Sequence, residues 1–293
     1  MDKDSALKVH YWKPIAAVIV WGFSFIAMKV LLEHLLPASI VFFRQILGIG
    51  FLTAIAFKQK SSFAIDRRSA SWILLLGLIT SFHLWIQTTG LQYTSASNTG
   101  WIIGLTPVFI IIFGTIIFKE RLAPLQITGI IISFAGLILL VSKGDLSKID
   151  LIKNKGDLLI ITSSLTWAVY SIVNKKATLT YSPLMTTLYL FVIMALVTAP
   201  FSLNAEQITA LFHLSLKGWI ALLFLGIFCS GLGYYLWAQT LNEMSASKAG
   251  AFLYMEPFIT FFAAALLLNE HVTILTFLSG VLIIAGVILV NRK

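Results

Sequence analysis

Long apolar stretches, separated by short segments with charged, Pro or Gly residues, follow one another along the whole chain. Each stretch is about 20 residues long, which is the length of an α-helix that crosses a hydrocarbon layer of roughly 30 Å. Membrane-spanning strands do not fit, because they are shorter and alternate polar with apolar positions. The pattern predicts an all-α integral membrane protein with ten transmembrane helices. The predicted spans, numbered 1 to 10, are 13–32, 38–57, 70–92, 97–118, 124–142, 156–175, 183–203, 216–241, 247–268 and 272–290.

The second half of the chain repeats the first. The segment TSASNTG at 94–100 returns as MSASKAG at 244–250, and a proline and a glutamate that follow it match at the same shift. The chain is therefore expected to contain a first five-helix repeat at 1–143, an extracytoplasmic linker at 144–155 and a second repeat at 156–293. Because five is an odd number, the second repeat starts on the opposite face of the membrane. The two repeats are expected to have inverted topology around a central cavity.

The composition agrees with a membrane location. Hydrophobic residues make up 58% of the chain and charged residues 11%, with a mean hydropathy of +0.92, which is too apolar for a soluble domain. Lys and Arg collect on one side of the predicted spans, together with both termini, so both termini are expected in the cytoplasm.

The net charge of +9 needs no nucleic-acid partner, because topology and anionic lipid headgroups account for it. The expected partners are a small-molecule solute and membrane lipids. The sequence leaves the oligomeric state open, and a monomer is sufficient.

Motifs for other chemistries are missing from the sequence. It has no GxxxxGK[ST] phosphate loop, no HExxH or cysteine cluster, and no Ser/His/Asp arrangement in a context for hydrolysis. The single cysteine, Cys229, cannot form an internal disulfide. The sequence therefore predicts no catalytic residue, no metal site and no cofactor. A carrier is favoured over a membrane-embedded enzyme or a channel.

Three segments carry a likeness to a known family. They are VIVWGFSFIAMKVLLEHLLPASIVFFRQILG at 18–48, LTPVFIIIFGTIIFKERL at 105–122 and MEPFITFFAAALLLNEHVT at 255–273. They resemble the drug/metabolite transporter superfamily in its ten-helix branch with paired EamA domains, in the Trp-Gly of helix 1, the Arg of helix 2, and the Pro and Glu of helices 4 and 9. The second half departs from the pattern, because no Arg near Leu190 corresponds to Arg44.

The resemblance implies a bacterial inner-membrane carrier, commonly an exporter of amino acids or other small metabolites. It also implies that helices 1, 3, 4, 6, 8 and 9 surround the central cavity. The substrate varies widely within the family.

Polar and aromatic side chains share faces of several predicted helices. Amides and imidazoles deep in a bilayer are costly unless they meet partners or line water, and aromatic rings beside them supply flat apolar walls. The pattern predicts a solute pocket. The alternative is that the aromatics mark the interfacial belts and the amides bond neighbouring helices. The candidate pocket residues are Trp21, Ser24, His83, Gln87, Asn98, Trp101, Ser163, Trp167, Tyr170, Asn174, Tyr234, Trp237 and Tyr254.

Three charged side chains lie inside predicted spans and are candidates for coupling or gating. Lys29 and Arg44 either attract a substrate carboxylate or pin the outer gate, or they extend to the interface. Glu256, directly before Pro257, either pairs structurally or bonds to freed backbone groups, or it couples protons. His83 is the competing protonatable site.

Prolines recur at equivalent places in spans 4 and 9. At Pro107 and Pro257 a kink either takes part in gating or shapes the cavity. The short connections before these spans contain Ser97 and Ser247, which we take as candidate N-caps.

Together these features predict a secondary carrier that moves a small organic solute by alternating access, with export favoured by the resemblance. An aromatic cavity with Asn and Gln suits amphipathic solutes, so hydrophobic or aromatic amino acids are the leading expectation. A nucleoside, sugar or drug carrier of the same fold is the alternative. A cationic drug is less favoured, because Lys29 and Arg44 would repel it unless Glu256 faces the cavity.

Overall fold

The computed structural model describes residues 10–142, 144–145, 152, 154–178, 181–268 and 274–292. Within these residues all regular structure is helical, and ten helices are long and apolar enough to cross a membrane. This confirms the all-α, ten-helix architecture. The ten helices are α1 Trp12–Leu32, α2 Pro37–Lys58, α3 Arg67–Tyr93, α4 Ala96–Ile117, α5 Pro124–Ser142, α6 Lys155–Thr178, α7 Pro183–Ser202, α8 Leu216–Glu243, α9 Ala246–Leu267 and α10 Ile274–Asn291.

The predicted spans and the observed helices differ at their ends by about one turn or less. The predicted start of span 10, at position 272, lies outside the described residues. A short helix between α7 and α8, Ala205–Phe212, was not predicted. Its Gln207 side chain accepts a hydrogen bond from the Leu36 amide at the start of α2 (2.9 Å).

Proline begins three of the membrane helices. Pro37, Pro124 and Pro183 are the first residues of α2, α5 and α7. The first N–H groups of a helix have no partner within it, so a residue that lacks this donor fits there without loss, and its fixed φ favours the helix. These prolines therefore set where the chain re-enters the bundle.

Serine caps begin α4 and α9 at equivalent positions. The Ser95 side chain accepts a hydrogen bond from the Asn98 amide (3.0 Å), and the Ser245 side chain accepts one from the Lys248 amide (3.3 Å). The prediction that Ser97 and Ser247 are the caps is wrong. These helices begin at Ala96 and Ala246, so the predicted serines lie inside the first turn, where a side chain no longer reaches the free amides.

Helices α4 and α9 are interrupted before their prolines. In α4 a 3₁₀ turn, Ile103–Leu105, precedes Pro107. In α9 the helix stops after Phe252 and resumes at Met255, two residues before Pro257. Proline cannot donate a backbone hydrogen bond and crowds the preceding turn, so an irregular turn at this point is its expected local effect.

Helix α8 contains a π-helical segment, Phe224–Tyr234, which the sequence analysis did not predict. Segments of this kind occur frequently at functional sites. Glycines within it allow close contact with α1 and α2. A Cβ atom at Gly233 would lie 2.8 Å from Nε1 of Trp21, so only a residue without a side chain fits here.

Helices of one half pack mainly against helices of the other. Helix α2 packs on α7, α4 on α9 and α5 on α10, while α1 lies against α8 and α9, and α6 lies against α3 and α4. This contact pattern is unchanged when each helix is exchanged with its counterpart five helices away. Such an exchange is typical of a two-fold relation between repeats. The inverted orientation of the two repeats stays a prediction.

A carboxylate links the two halves at one end of the bundle. After α4, the two oxygens of Glu120 accept hydrogen bonds from the amides of Ala246 (2.7 Å) and Ser247 (2.9 Å). These amides belong to the first turn of α9, where the free N–H groups favour a negative charge. Glu120 therefore fixes the start of α9 relative to α4.

Small residues bring α5 and α10 into backbone contact. A Cβ atom at Gly129 would lie 2.6 Å from the carbonyl oxygen of Gly286 and 2.8 Å from the amide of Val290. Without an apolar driving force between helices in lipid, such close packing is a main source of helix association.

We predict that Gly129→Ala lowers the apparent melting temperature of the detergent-solubilised protein, because overpacking costs about 1–3 kcal/mol. The matched control is Gly50→Ala, since a Cβ atom at Gly50 meets nothing within 4 Å. Thermal unfolding of both variants beside the parent protein is the measurement. Equal melting temperatures for the two variants would contradict the assigned α5–α10 contact.

Candidate functional site

A cavity lies inside the bundle where helices from both halves meet. Residues of α1, α2, α3, α4, α6, α8 and α9 line it, including Ile103 in the 3₁₀ turn of α4 and Glu256 just after the interrupted turn of α9. Eight of the residues predicted from the sequence are among them. The lining comprises Trp21, Ser24, Phe25, Met28, Arg44, His83, Leu84, Gln87, Ile103, Thr106, Ser164, Trp167, Tyr234 and Glu256.

The cavity extends from the middle of the bundle toward the C-terminal ends of α1 and α3. Trp21 and Trp167 lie near the middle of their helices. Met28 and Gln87 lie closer to the ends, about 6 Å and 9 Å along the helix axis from the last residues of α1 and α3, at 1.5 Å per residue. The cavity therefore occupies the half of the bundle that faces away from the chain termini.

Interlocked aromatic rings close the other half of the interior. We call Trp21, Trp167, Tyr170, Tyr234 and Trp237 the aromatic barrier. The ring centroids of Trp21 and Trp167 lie 5.0 Å apart at 85°, and those of Trp167 and Tyr234 lie 5.2 Å apart at 89°. Edge-to-face contacts of this kind are favourable beyond simple burial. The barrier separates the cavity from the end of the bundle that carries the termini.

Hydrogen bonds hold two of the three indole rings of the barrier in place. Trp21 Nε1 donates to the carbonyl oxygen of Cys229 (3.0 Å), which lies in the π-helical segment. Trp237 Nε1 donates to Oγ of Ser171 (3.2 Å). Tyr234 also lines the cavity, and its hydroxyl is buried with no hydrogen-bond partner among the described residues.

The backbone of α6 fixes the orientation of His83. Its Nδ1 lies 3.0 Å from the carbonyl oxygen of Ser163 and 3.1 Å from Oγ1 of Thr166. A carbonyl oxygen only accepts, so Nδ1 carries the proton, and in the neutral ring Nε2 is left as an acceptor. The ring also packs 5.1 Å from Trp167. His83 is thus a positioned acceptor in the cavity wall.

Two opposite charges line the same cavity. Arg44 is 2% exposed, and its Nε donates to Oγ of Ser230 (2.8 Å) in the π-helical segment of α8. Glu256 is half-buried beside Pro257. In the described part of the chain no ion pair joins Arg44 to Glu256. A charge within a membrane protein is costly unless it is paired or hydrated, so both groups are placed to receive a complementary charge.

Asn98 and Trp101 lie outside the cavity, at the start of α4. Asn98 Nδ2 donates to Oγ1 of Thr94 (2.8 Å) and to Oδ1 of Asp157 at the start of α6. Trp101 Nε1 in turn donates to Oδ1 of Asn98. These residues form a polar cluster that joins the two halves at the end of the bundle away from the termini.

Other predicted residues also lie away from the cavity lining. Tyr170 and Trp237 belong to the aromatic barrier, and Asn174 donates to the Tyr170 hydroxyl (2.8 Å). Ser163 contributes its backbone carbonyl to His83, while its own hydroxyl donates to Ile160 (2.8 Å).

The four remaining candidates also lie outside the cavity lining. Tyr254 is fully buried in the irregular turn of α9, and its hydroxyl has no described partner. Lys29 is half-buried in the last turn of α1. Pro107 and Pro257 are buried beside the interrupted turns.

Several lining residues were not predicted. Thr106 stands at the repeat shift from Glu256, so the internal duplication carried a signal for it. Met28 shares a face of α1 with Trp21 and Ser24, which also pointed to it. The apolar residues Phe25, Leu84 and Ile103 carried no such signal, because apolar side chains are ordinary in a membrane helix.

The two halves of the chain match the same family description. The EamA-like transporter family matches residues 11–142 and again residues 154–292. The chain belongs to this family. As an EamA-like transporter of the drug/metabolite transporter superfamily, with ten apolar helices, it is a multi-pass membrane protein.

Several relatives support the transporter assignment. An "Uncharacterized transporter" of Archaeoglobus fulgidus is 31% identical over 94% of this chain and 95% of its own. A "Probable amino-acid metabolite efflux pump" of Salmonella typhimurium is 28% identical over 93% of this chain and 91% of its own. The Escherichia coli protein of the same description is 27% identical, with 93% and 91% covered.

A solved crystal structure shares the fold. It covers 96% of this chain and 95% of its own with a TM-score of 0.75, at 17% sequence identity. At that identity the likeness concerns the fold alone.

We predict different effects from removing two tyrosine hydroxyls. Tyr234→Phe removes a hydroxyl without a described partner and should leave the melting temperature unchanged or raise it, because an unsatisfied buried polar group is costly. Tyr170→Phe, the matched control, breaks the bond with Asn174 and should cost about 0.5–1.5 kcal/mol. Thermal unfolding of both variants checks this. A destabilised Tyr234→Phe protein would show that its hydroxyl is satisfied within the fold.

Proposed function

We propose that this EamA-like transporter carries α-amino acids across the cell membrane by alternating access. The observation that supports this most directly is that Arg44 and Glu256, which can carry opposite charges, line one cavity and have no ion pair among the described residues. An α-amino acid is a zwitterion. A guanidinium binds a carboxylate with paired hydrogen bonds, and a carboxylate binds an ammonium group.

The remaining walls favour a hydrophobic or aromatic side chain on the solute. Trp21, Trp167 and Tyr234 present ring surfaces to the cavity, and Phe25 lies beside them. Aromatic walls with a few placed polar groups are typical of sites for small organic ligands. In this proposal the Tyr234 hydroxyl and the free acceptor of His83 add hydrogen bonds to the solute backbone.

Transport requires the cavity to widen. Its volume is about 40 Å³, which admits a few water molecules at roughly 10–15 Å³ each and is too small for an amino acid. The irregular turns of α4 and α9 and the π-helical segment of α8 all adjoin the cavity. We propose that these points let the halves move, so that the cavity opens first on one side and then, past the aromatic barrier, on the other.

Other features support a direction of transport and an orientation of the protein in the membrane. Two relatives are named efflux pumps for amino-acid metabolites, which supports export. The clustering of Lys and Arg beside both termini supports a cytoplasmic location for the termini. The aromatic barrier would then separate the cavity from the cytoplasm.

Three related solutes test the charge assignment. Phenylalanine carries both charges, phenylethylamine lacks the carboxylate, and 3-phenylpropionate lacks the ammonium group. We expect the parent protein to bind phenylalanine best, measured as the ligand-induced rise in melting temperature of the purified protein. The loss of a charged hydrogen bond should weaken binding about tenfold or more, since such bonds contribute about 1.5–3 kcal/mol.

The variants should remove this discrimination one charge at a time. Arg44→Gln should bind phenylalanine and phenylethylamine about equally, and Glu256→Gln should bind phenylalanine and 3-phenylpropionate about equally. Lys58→Gln, on the same helix as Arg44 but outside the cavity, is the control and should behave as the parent. If Arg44→Gln keeps its full preference for the carboxylate-bearing solute, the assignment of Arg44 is wrong.

Transport itself is tested in proteoliposomes. With phenylalanine inside the vesicles, uptake of labelled phenylalanine from outside should accelerate, because a carrier returns its loaded site faster than its empty one. Tyr170→Phe, which changes the barrier and not the charged pair, is the matched control and should bind phenylalanine as the parent protein does. Uptake that is indifferent to internal phenylalanine would indicate a channel, and recovery of a chemically altered solute would indicate an enzyme.

A further inference from the structure

An apolar groove on the outside of the bundle lies between α1, α9 and α10. Its walls include Ile15, Phe252, Met255, Ile284 and Ile288. Ile284 and Ile288 are 40% and 60% exposed, so the groove opens toward the lipid. Its volume is about 440 Å³, much larger than that of the central cavity.

The length of the groove matches one leaflet of a bilayer. From Ile284 to Arg292 along α10 the helix rises by about 12 Å, at 1.5 Å per residue. Half of a hydrocarbon layer of roughly 30 Å is about 15 Å. The groove thus begins near the middle of the membrane and ends at the bundle end that carries both chain termini.

The outer end of the groove is polar and positively charged. Asn291 is 9% exposed, and its Nδ2 donates to the Val287 carbonyl (3.0 Å). Its Oδ1 is buried and has no hydrogen-bond partner among the described residues. Arg292 lines the same end, and a second recess, which shares Asn291 with the groove, continues to Lys248.

One carboxylate also lines that second recess. The Glu243 carboxylate accepts hydrogen bonds from the Lys13 ammonium group and from the His10 backbone amide (3.3 Å). The described residues show no ion pair for Lys248 or Arg292. The recess therefore keeps an excess of positive charge. This charge lies beside the apolar wall of the groove and beside Oδ1 of Asn291, which has no partner among the described residues.

We propose that this groove is a binding site for one anionic phospholipid. The acyl chain lies along the walls from Ile288 to Phe252, and the phosphate lies between Arg292 and Lys248. The unsatisfied Oδ1 of Asn291 accepts a hydrogen bond from a headgroup or glycerol hydroxyl. Basic side chains at a membrane surface attract anionic lipids, and the enclosed apolar wall is what distinguishes this site from a diffuse surface charge.

The site adjoins the central cavity through α9. Met255 lines the groove, and the next residue, Glu256, lines the cavity. Phe252, another wall residue, ends the first segment of α9 immediately before the interrupted turn. A bound acyl chain therefore packs against the turn that positions Glu256. This makes the lipid part of the surroundings of the cavity, independently of which solute the cavity takes.

Native mass spectrometry of the purified full-length protein tests the proposal. The probes are dioleoylphosphatidylglycerol and dioleoylphosphatidylcholine, each added at the same concentration in a nonionic detergent. We expect the protein to retain one phosphatidylglycerol and to bind phosphatidylcholine more weakly, by a factor of about five or more. Equal retention of the two lipids would overturn the assignment of an anionic lipid.

Two variants locate the bound lipid. Ile288→Trp fills the groove, and the double variant Lys248→Gln/Arg292→Gln removes the two cations. Each should lower phosphatidylglycerol occupancy about fivefold or more. The controls are Ile131→Trp, at a position of similar exposure on α5 (62% against 60%), and Lys58→Gln. Both controls should retain the lipid.

The outcomes separate the sources of binding. Full occupancy in the double variant would show that the lipid is held elsewhere, and this arm decides the question if Ile288→Trp does not fold. Full occupancy in a folded Ile288→Trp protein would contradict the acyl-chain position. Displacement of the lipid by an equal concentration of sn-glycerol 3-phosphate would show a phosphate site that does not use the groove.

Discussion

The charges of Arg44 and Glu256 face one cavity inside a bundle that spans hydrocarbon, and they do not neutralise each other within the described structure. Charges in such a place need water or a partner. The surrounding structure meets this need in part: Oγ of Ser230 in the π-helical segment accepts a hydrogen bond from the guanidinium, and Glu256 lies in the first turn of the resumed α9, where free N–H groups favour a negative charge. In our proposal, a solute uses the charge and the hydrogen-bonding capacity that remain on Arg44 and Glu256.

The duplicated scaffold carries asymmetric chemistry. Thr106 stands in the first half where Glu256 stands in the second, and the region of Leu190 stands where Arg44 would be repeated. Each half therefore supplies one charge of opposite sign to a shared cavity. In the proposed mechanism, the symmetric frame supports two equivalent movements, and the unequal charges give a bound solute one orientation.

The π-helical segment connects the charged groups to the aromatic barrier. Its Cys229 carbonyl accepts from Trp21, and its Ser230 hydroxyl accepts from Arg44. A change in the winding of this segment would move Trp21 of the barrier and Arg44, the charge that we propose binds the solute carboxylate, together. Such coupling is consistent with the occurrence of π-helical segments at functional sites.

Hydropathy and the internal repeat predicted the ten helices, because lipid requires long, fully hydrogen-bonded apolar segments. They did not predict the π-helical segment, whose sequence is as apolar as a regular helix. Ser163, Trp167, Tyr170 and Asn174, which share one helical face, are all buried in the structure.

That face extends along α6 for about 16 Å at 1.5 Å per residue. It therefore passes the cavity at Trp167 and continues into the barrier at Tyr170. Depth along a helix depends on its neighbours, which periodicity does not reveal. Asn98 and Trp101 show the same limit, since Asn98 donates to Asp157 of the other repeat and Trp101 donates to Asn98.

The most direct test of the account is an experimental structure of the protein with phenylalanine bound. We expect the solute carboxylate about 3 Å from the Arg44 guanidinium and the solute ammonium at a similar distance from the Glu256 carboxylate, with the phenyl ring against Trp21 and Trp167. A structure in which Arg44 and Glu256 pair with each other, while the solute binds outside the cavity, would contradict it.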